Sequence, residues 1–249
     1  MARLGRTAVV VFLALATIAC GSQRGSRLGE SSYGRGADEV WVFRAAGGPP
    51  RSVVIFVHGH GGPLEDTPRY HRAWLLHLAA RGNAVLYPRY EVVPGDHDTV
   101  THIVNAVRTG MKELGNPRVP LIGIGYSRGG RLVVDWAARA SATRFAPRAL
   151  VSVFPASGED PEEDLSRISS RTPILVLVGD RDEVVGDLGA KALVRDLGAG
   201  PLRQNVGVEV VRSHGAFVAS HLSVLDDSPG ARSAFWDRAD GLIDIVAPR

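Results

Sequence analysis

Two kinds of apolar pattern alternate along this chain. Short apolar runs, Ser52-Val53-Val54-Ile55-Phe56-Val57, Ala84-Val85-Leu86-Tyr87, Val119 to Tyr126, Ala149 to Phe154 and Ile174 to Val178, read as strands buried on both faces. Between them, apolar residues recur at helical spacing. Trp74, Leu75, Leu78 and Ala79 mark a helix over about Pro68 to Arg81, and Val100, Ile103, Val104, Val107, Met111 and Leu114 mark a second, with Asp96 or Asp98 as its N-cap. Leu132, Val133, Trp136, Ala137 and Ala140 mark a third, and further helices are predicted near Asp187 to Leu197 and Ala231 to Val246. Glu39 to Arg44 alternates instead, as an antiparallel strand does, and Val206 to Val211 closes the strand set. Strands alternating with helices predict an α/β fold with a mainly parallel sheet covered on both faces, and 249 residues suit one such domain. No segment is long enough for a large lid; the longest excursion, Phe154 to Ser170, suits a loop with one short helix.

The run ending Gly125-Tyr126-Ser127-Arg128-Gly129-Gly130 carries the first chemical signal. A buried strand delivers a serine into a Gly-x-Ser-x-Gly turn that feeds directly into a helix, the layout of a nucleophile elbow. The turn strains the serine backbone, and a Cβ at Gly125 or Gly129 would collide with the neighbouring strand or helix. Serine at its free pKa is a poor nucleophile, so Ser127 needs a histidine to take its proton and a carboxylate to orient that histidine. In a parallel sheet the strand C-termini share one edge. The next candidate strand there runs into Gly179-Asp180-Arg181-Asp182-Glu183, which offers Asp182 as the acid, with Asp180 fixing the turn and Glu183 facing solvent. The last strand leads to Ser213-His214 and, after Gly215 to Ser220, His221. Position alone favours His214, since it lies almost at the strand end, whereas a short helix within Ala216 to Leu225 would orient His221. For the oxyanion, His58-Gly59-His60-Gly61-Gly62 follows a buried strand at the same edge. The amide of His60, or of Gly61, would act with that of Arg128, each such donor being worth roughly 3 to 4 kcal/mol in the transition state. His58 is expected to brace the loop and the side chain of His60 to face the cleft. Phe154, Phe217, Val218 and Leu222 suit either an acyl pocket or the core.

Other chemistries fit less well. His58-Gly59-His60 and Asp96-His97-Asp98 with His102 are ligand-like, but the first lacks a following acidic ligand and the second sits where a helix cap belongs, so no metal is predicted. His71 and His77 fit a solvated helix face. Gly123-Ile124-Gly125 lacks the third glycine of a dinucleotide loop, with Arg128 in its place, and no cofactor is implied. A net charge of +3, with no Lys/Arg block and only Lys112 and Lys191 among the 29 basic residues not arginine, gives no nucleic-acid signature.

The N-terminus adds a destination. Arg3 and Arg6 precede an uncharged apolar stretch, Ala8 to Ala19, too short to span a bilayer comfortably, which reads as an export signal over residues 1–19. Cys20, the one cysteine of the chain, ends that stretch in Thr17-Ile18-Ala19-Cys20-Gly21, which resembles the lipobox of bacterial lipoproteins. The resemblance implies a diacylglycerol on Cys20 and a lipid-anchored envelope protein facing the periplasm or exterior. Residues 20–37, rich in Gly, Ser and charge, then read as a flexible tether, with the folded domain beginning near Asp38.

Taken in order, His58-Gly59-His60-Gly61-Gly62, Gly125-Tyr126-Ser127-Arg128-Gly129, Gly179-Asp180-Arg181-Asp182 and the late histidines resemble the α/β-hydrolase superfamily over about Glu39 to the C-terminus. Gly179 to Gly186, Ala219-Ser220-His221-Leu222 and Phe235-Trp236 before a closing helix resemble chlorophyllase-like and dienelactone-hydrolase-like bacterial esterases, although true dienelactone hydrolases carry cysteine where this chain has Ser127. That resemblance implies His221 as the proton carrier and a small-molecule carboxylic ester as substrate. A non-catalytic envelope lipoprotein on a degenerate hydrolase fold, and a peptidase or thioesterase on the same scaffold, are the alternatives.

Overall fold

The computed structural model describes residues 28–45, 47–60, 67–92, 98–157, 163–198 and 205–249. An eight-stranded sheet runs through the domain. Its strands are β1 (Leu28–Tyr33), β2 (Val40–Ala45), β3 (Val53–Val57), β4 (Ala84–Pro88), β5 (Leu121–Tyr126), β6 (Ala149–Val153), β7 (Ile174–Gly179) and β8 (Val206–Val211), in spatial order β1-β2-β4-β3-β5-β6-β7-β8. β2 pairs antiparallel with both β1 and β4; every other pairing is parallel. The C-terminal ends of β3 to β8 therefore share one edge.

Alternation along each buried strand divides the core. Val53, Ile55 and Val57 of β3 face a layer built from α2 (Thr99–Glu113), α3 (Arg128–Ala140) and α4 (Leu188–Asp196), while Val54 and Phe56 face the opposite layer of α1 (Arg72–Ala80) and α6 (Asp237–Val246). On β5 the α3-facing positions include Gly123 and Gly125. A Cβ on Gly123 would lie 2.6 Å from a Val133 methyl, so the missing side chains let α3 sit directly on the sheet.

Three expectations need correction. The fold begins ahead of Asp38, because Leu28–Tyr33, placed by composition in a tether, forms β1 against β2, with Leu28 opposite Ala45 and Tyr33 opposite Val40. Its side chains are mostly exposed, so main-chain pairing rather than burial holds it, and apolar patterning carries no trace of that. The helix expected from Pro68 starts only at Arg72. The closing helix arrives in three pieces: α5 (Pro229–Ala231), capped by the Ser228 hydroxyl, a π turn over Arg232–Trp236, and then α6. Asp98 holds the N-cap position of α2 without a side-chain capping bond, and Asp96 lies outside the described residues.

Burial also overturns the solvated reading of His71, and half-buried His77 has a partner on α6. His71 is 2% exposed against Phe56, Tyr87 and Tyr126, and among the described residues neither of its ring nitrogens has a hydrogen-bond partner. His77 reaches across to α6, its Nε2 2.7 Å from Asp240 Oδ2. Burial, with the nearby His58 ring adding to it, pushes the His71 pKa down to about 3. Between that value and the ordinary 6.5, the unfolded chain binds the proton and the folded chain does not, so stability supplied by neutral His71 is lost as pH falls through this window. At about 1.4 kcal/mol per pH unit, urea unfolding at pH 7 and pH 4.5 should show the parent losing roughly 2 to 3 kcal/mol more than His71→Phe.

Candidate active site

The elbow forms because three backbone contacts fix Ser127. Its N–H donates to Val153 O at 2.9 Å, and its carbonyl accepts from Gly130 N at 2.8 Å and Ala156 N at 3.1 Å. The residue is held at φ 55°, ψ −125°, a region costing about 1–3 kcal/mol for a non-glycine residue. The flanking glycines answer a packing demand: a Cβ on Gly125 would sit 2.0 Å from Gly129 O, and one on Gly129 would sit 2.1 Å from His58 O and 2.2 Å from Val57 O. Since all of these are main-chain atoms that cannot rotate away, Gly129→Ala should cost more than about 3 kcal/mol. Thermal melts, or loss of soluble protein, will show it.

Ser127 meets its partners at the shared strand edge. Ser127 Oγ lies 2.9 Å from His221 Nε2, and His221 Nδ1 lies 2.9 Å from Asp182 Oδ2. His221 opens a single 3-10 turn, His221–Leu225, shorter than the helix expected within Ala216 to Leu225. Its ring packs against Tyr126 (5.1 Å) and Phe154 (6.0 Å), and its carbonyl accepts from the Tyr126 hydroxyl at 3.0 Å. The Asp182 side chain is fully buried, and its second oxygen accepts from the amides of Val184 (2.9 Å) and Val185 (3.1 Å). An ionised carboxylate in this position makes Nδ1 the protonated nitrogen of His221 and leaves Nε2 free to accept from the serine hydroxyl. Hydroxyl, imidazole and carboxylate thus form one continuous hydrogen-bonded chain.

His214 is not part of it. Its backbone exchanges two hydrogen bonds with Phe217, a tight reversal through Gly215 at φ 55°, and its ring is exposed against Phe217. Nearness to the strand end misleads here because this reversal spends the first residues of the loop pointing outward. The chain then returns across the end of β7: Arg181 N donates to Ala219 O at 3.2 Å, and a Cβ on Gly179 would lie 2.2 Å from that same oxygen. Asp180 locks the return, its Oδ1 accepting from the hydroxyl (2.6 Å) and amide (3.0 Å) of Ser213, whose hydroxyl oxygen accepts from Ala219 N at 3.0 Å. The Ser213 hydroxyl holds the Asp180 carboxyl below the usual carboxylate range. Glu183 is exposed.

The loop after β3 packs against Ser127. A Cβ on Gly59 would lie 3.1 Å from Ser127 Cβ, so the backbone passes as close to the serine as it can. His58 is buried, with Nδ1 2.7 Å from Gly59 O, Nε2 3.0 Å from Arg89 O and its ring stacked on Tyr90 at 4.3 Å. The Tyr90 hydroxyl donates to both His58 O (3.0 Å) and Gly59 O (3.1 Å). His60 is half-exposed, its Nδ1 3.4 Å from Glu91 Oε2 and 3.3 Å from Arg128 Nη1. Arg128 opens α3, where first-turn amides have no partner within the helix. Gly61, His97 and Cys20 lie outside the described residues. His102 Nδ1 is 2.7 Å from Asp38 Oδ1, and among the described residues no three His, Cys, Asp or Glu side chains converge as metal ligands would. Phe154 and Phe217 belong to the core, whereas Val218 and Leu222 are more than half exposed beside His221.

Tyr90 and Glu91 escaped the sequence reading. Their one signal was position, since they follow β4 at the edge that carries Ser127.

No protein-family model and no curated protein matches the chain. Among solved structures it is similar to esterase B from Lactobacillus rhamnosis, with 17% identity, TM-score 0.63, and coverage of 90% of this chain and 87% of that one. It is likewise similar to carboxyl esterase 2 from the fungus Tuber melanosporum, with 15% identity, TM-score 0.64, and coverage of 93% and 90%. A fungal esterase from Rhizomucor miehei aligns at 18% identity and TM-score 0.65, over 90% of this chain and 86% of that one. Strand order, the strained elbow serine and these whole-chain alignments agree: the chain has the single-domain α/β-hydrolase fold.

Proposed function

We propose that this protein is a serine hydrolase that cleaves small-molecule carboxylic esters through an acyl-enzyme on Ser127. The observation that carries the reading is the pair of 2.9 Å contacts linking Ser127 Oγ to His221 Nε2 and His221 Nδ1 to Asp182. The esterase names of the structural neighbours support the substrate class. His221 takes the hydroxyl proton as Ser127 Oγ attacks the ester carbonyl, and Asp182 stabilises the imidazolium so formed. The amides of Arg128, at the positive end of α3, and of His60 or Gly61 receive the negative charge on the carbonyl oxygen. His221 then returns its proton to the departing alcohol. Water, deprotonated in turn by His221, attacks the acyl-enzyme, and the acid and free Ser127 are released.

A fluorophosphonate probe tests this directly, because it phosphonylates an activated serine whatever the preferred ester. Mass spectrometry should find the adduct on Ser127 alone, in a protein that hydrolyses p-nitrophenyl acetate. An unlabelled, inactive protein would favour a ligand-binding lipoprotein on the same fold. The proposal extends to location: the chain is exported and held at the envelope by lipid on Cys20. Labelled palmitate should enter the parent and not Cys20→Ser.

A further inference from the structure

Three adjacent strand ends bring together a set of side chains with no part in the proton path. His60 follows β3, Glu91 follows β4 and Arg128 follows β5, and the sheet places these strands side by side in the order β4-β3-β5. Glu91 Oε2 pairs with Arg128 Nη1, and both lie against His60 Nδ1, at 3.4 Å and 3.3 Å. The guanidinium stands 5.7 Å above the ring of Tyr90, whose hydroxyl grips the carbonyls of His58 and Gly59. Both charged side chains are close to nine-tenths buried or more, at 8% exposure for Arg128 and 11% for Glu91.

A buried ion pair is a poor way to gain stability, since the desolvation of both charges largely cancels their attraction. Its distinctive contribution is fixed geometry. This pair joins the two residues whose geometry matters most to an oxyanion site, because the amides of Arg128 and His60 must both reach one oxygen at about 3 Å. The Arg128 amide is set by the start of α3, while His60 sits in a loop. We propose that Glu91 is a positioning residue: through the Arg128 side chain and the His60 ring, it holds the β3 loop at a fixed separation from the nucleophile's helix. This inference rests on the serine-hydrolase reading above.

The test is Glu91→Gln, which keeps the shape of the side chain and removes the charge that Arg128 and His60 share. With p-nitrophenyl butyrate, kcat should fall about 10- to 100-fold, the size expected when a catalytic group is displaced by an ångström or less, while KM stays within about threefold. Affinity for an alkyl boronic acid, whose tetrahedral adduct places an oxygen at the oxyanion position, should fall in step with kcat/KM. The pH profile of kcat/KM should keep its midpoint, because Ser127, His221 and Asp182 are untouched. Glu91→Asp, which restores the charge on a shorter arm, should recover part of the loss, and it serves as the test variant if Glu91→Gln does not fold. A kcat within twofold of the parent, or a loss carried by KM or by melting temperature with boronate affinity unchanged, overturns the inference while leaving the serine-hydrolase reading intact. A parent protein that neither labels at Ser127 nor hydrolyses any ester overturns both.

Discussion

Ser127→Ala is expected to lower kcat for p-nitrophenyl esters on the order of 10⁵- to 10⁶-fold and to abolish fluorophosphonate labelling. A loss of this size follows from the proposed mechanism, in which one atom carries the covalent step. Without Oγ no acyl-enzyme forms, and only the oxyanion donors and substrate binding remain to accelerate attack by water. The fold should survive, since the contacts that hold residue 127 at φ 55° are all made by its main chain and alanine keeps every one of them. Melting temperature measured beside activity separates lost chemistry from lost structure. His214→Ala is the natural control, because the exposed His214 ring faces Phe217 and no residue of the proton path, and its kcat should stay within about twofold of the parent. If Ser127→Ala retains parental activity, the site described here is not where the reaction occurs.

Asp182→Asn should cost nearly as much, about 10⁴-fold in kcat at neutral pH, through a single misplaced proton. The amides of Val184 and Val185 both donate to Asp182 Oδ1, so an asparagine must turn its carbonyl oxygen toward them. Its NH₂ group then faces His221 Nδ1, which can only accept. The imidazole proton is driven to Nε2, and a protonated Nε2 cannot take a proton from Ser127. Binding and packing are spared, so KM and melting temperature should change little. Nitrogen-15 spectra of the histidine rings provide the check, with His221 exchanging its Nδ1–H form for the Nε2–H form. A variant that keeps the Nδ1–H form and its rate would show that Asp182 does not set the tautomer.

How far the sequence revealed all this depended on which force holds each piece. Strands β3 to β7 were visible because burial on both faces demands unbroken apolar runs, and the elbow because a Cβ on Gly125 or Gly129 would strike backbone. β1 was invisible, since an edge strand held by main-chain pairing asks nothing of its side chains. The choice between His214 and His221 was closed to spacing arguments, because the reversal between His214 and Phe217 is set by backbone hydrogen bonds and by Gly215. His71 was misjudged because a helix of mixed residues reveals its buried face only when its neighbours are known, and here these are Phe56, Tyr87 and Tyr126. Glu91 and Arg128, 37 residues apart in the chain, become partners only through the strand order.

The direction of β1 has a geometric corollary. Because β1 and β2 each reverse direction, Leu28 stands opposite Ala45, at the end of the sheet farthest from the rim that carries Ser127. A fusion partner or solid support coupled directly at Leu28 therefore departs from the sheet at the end opposite Ser127, and the strand ends around the serine stay clear of the attachment point.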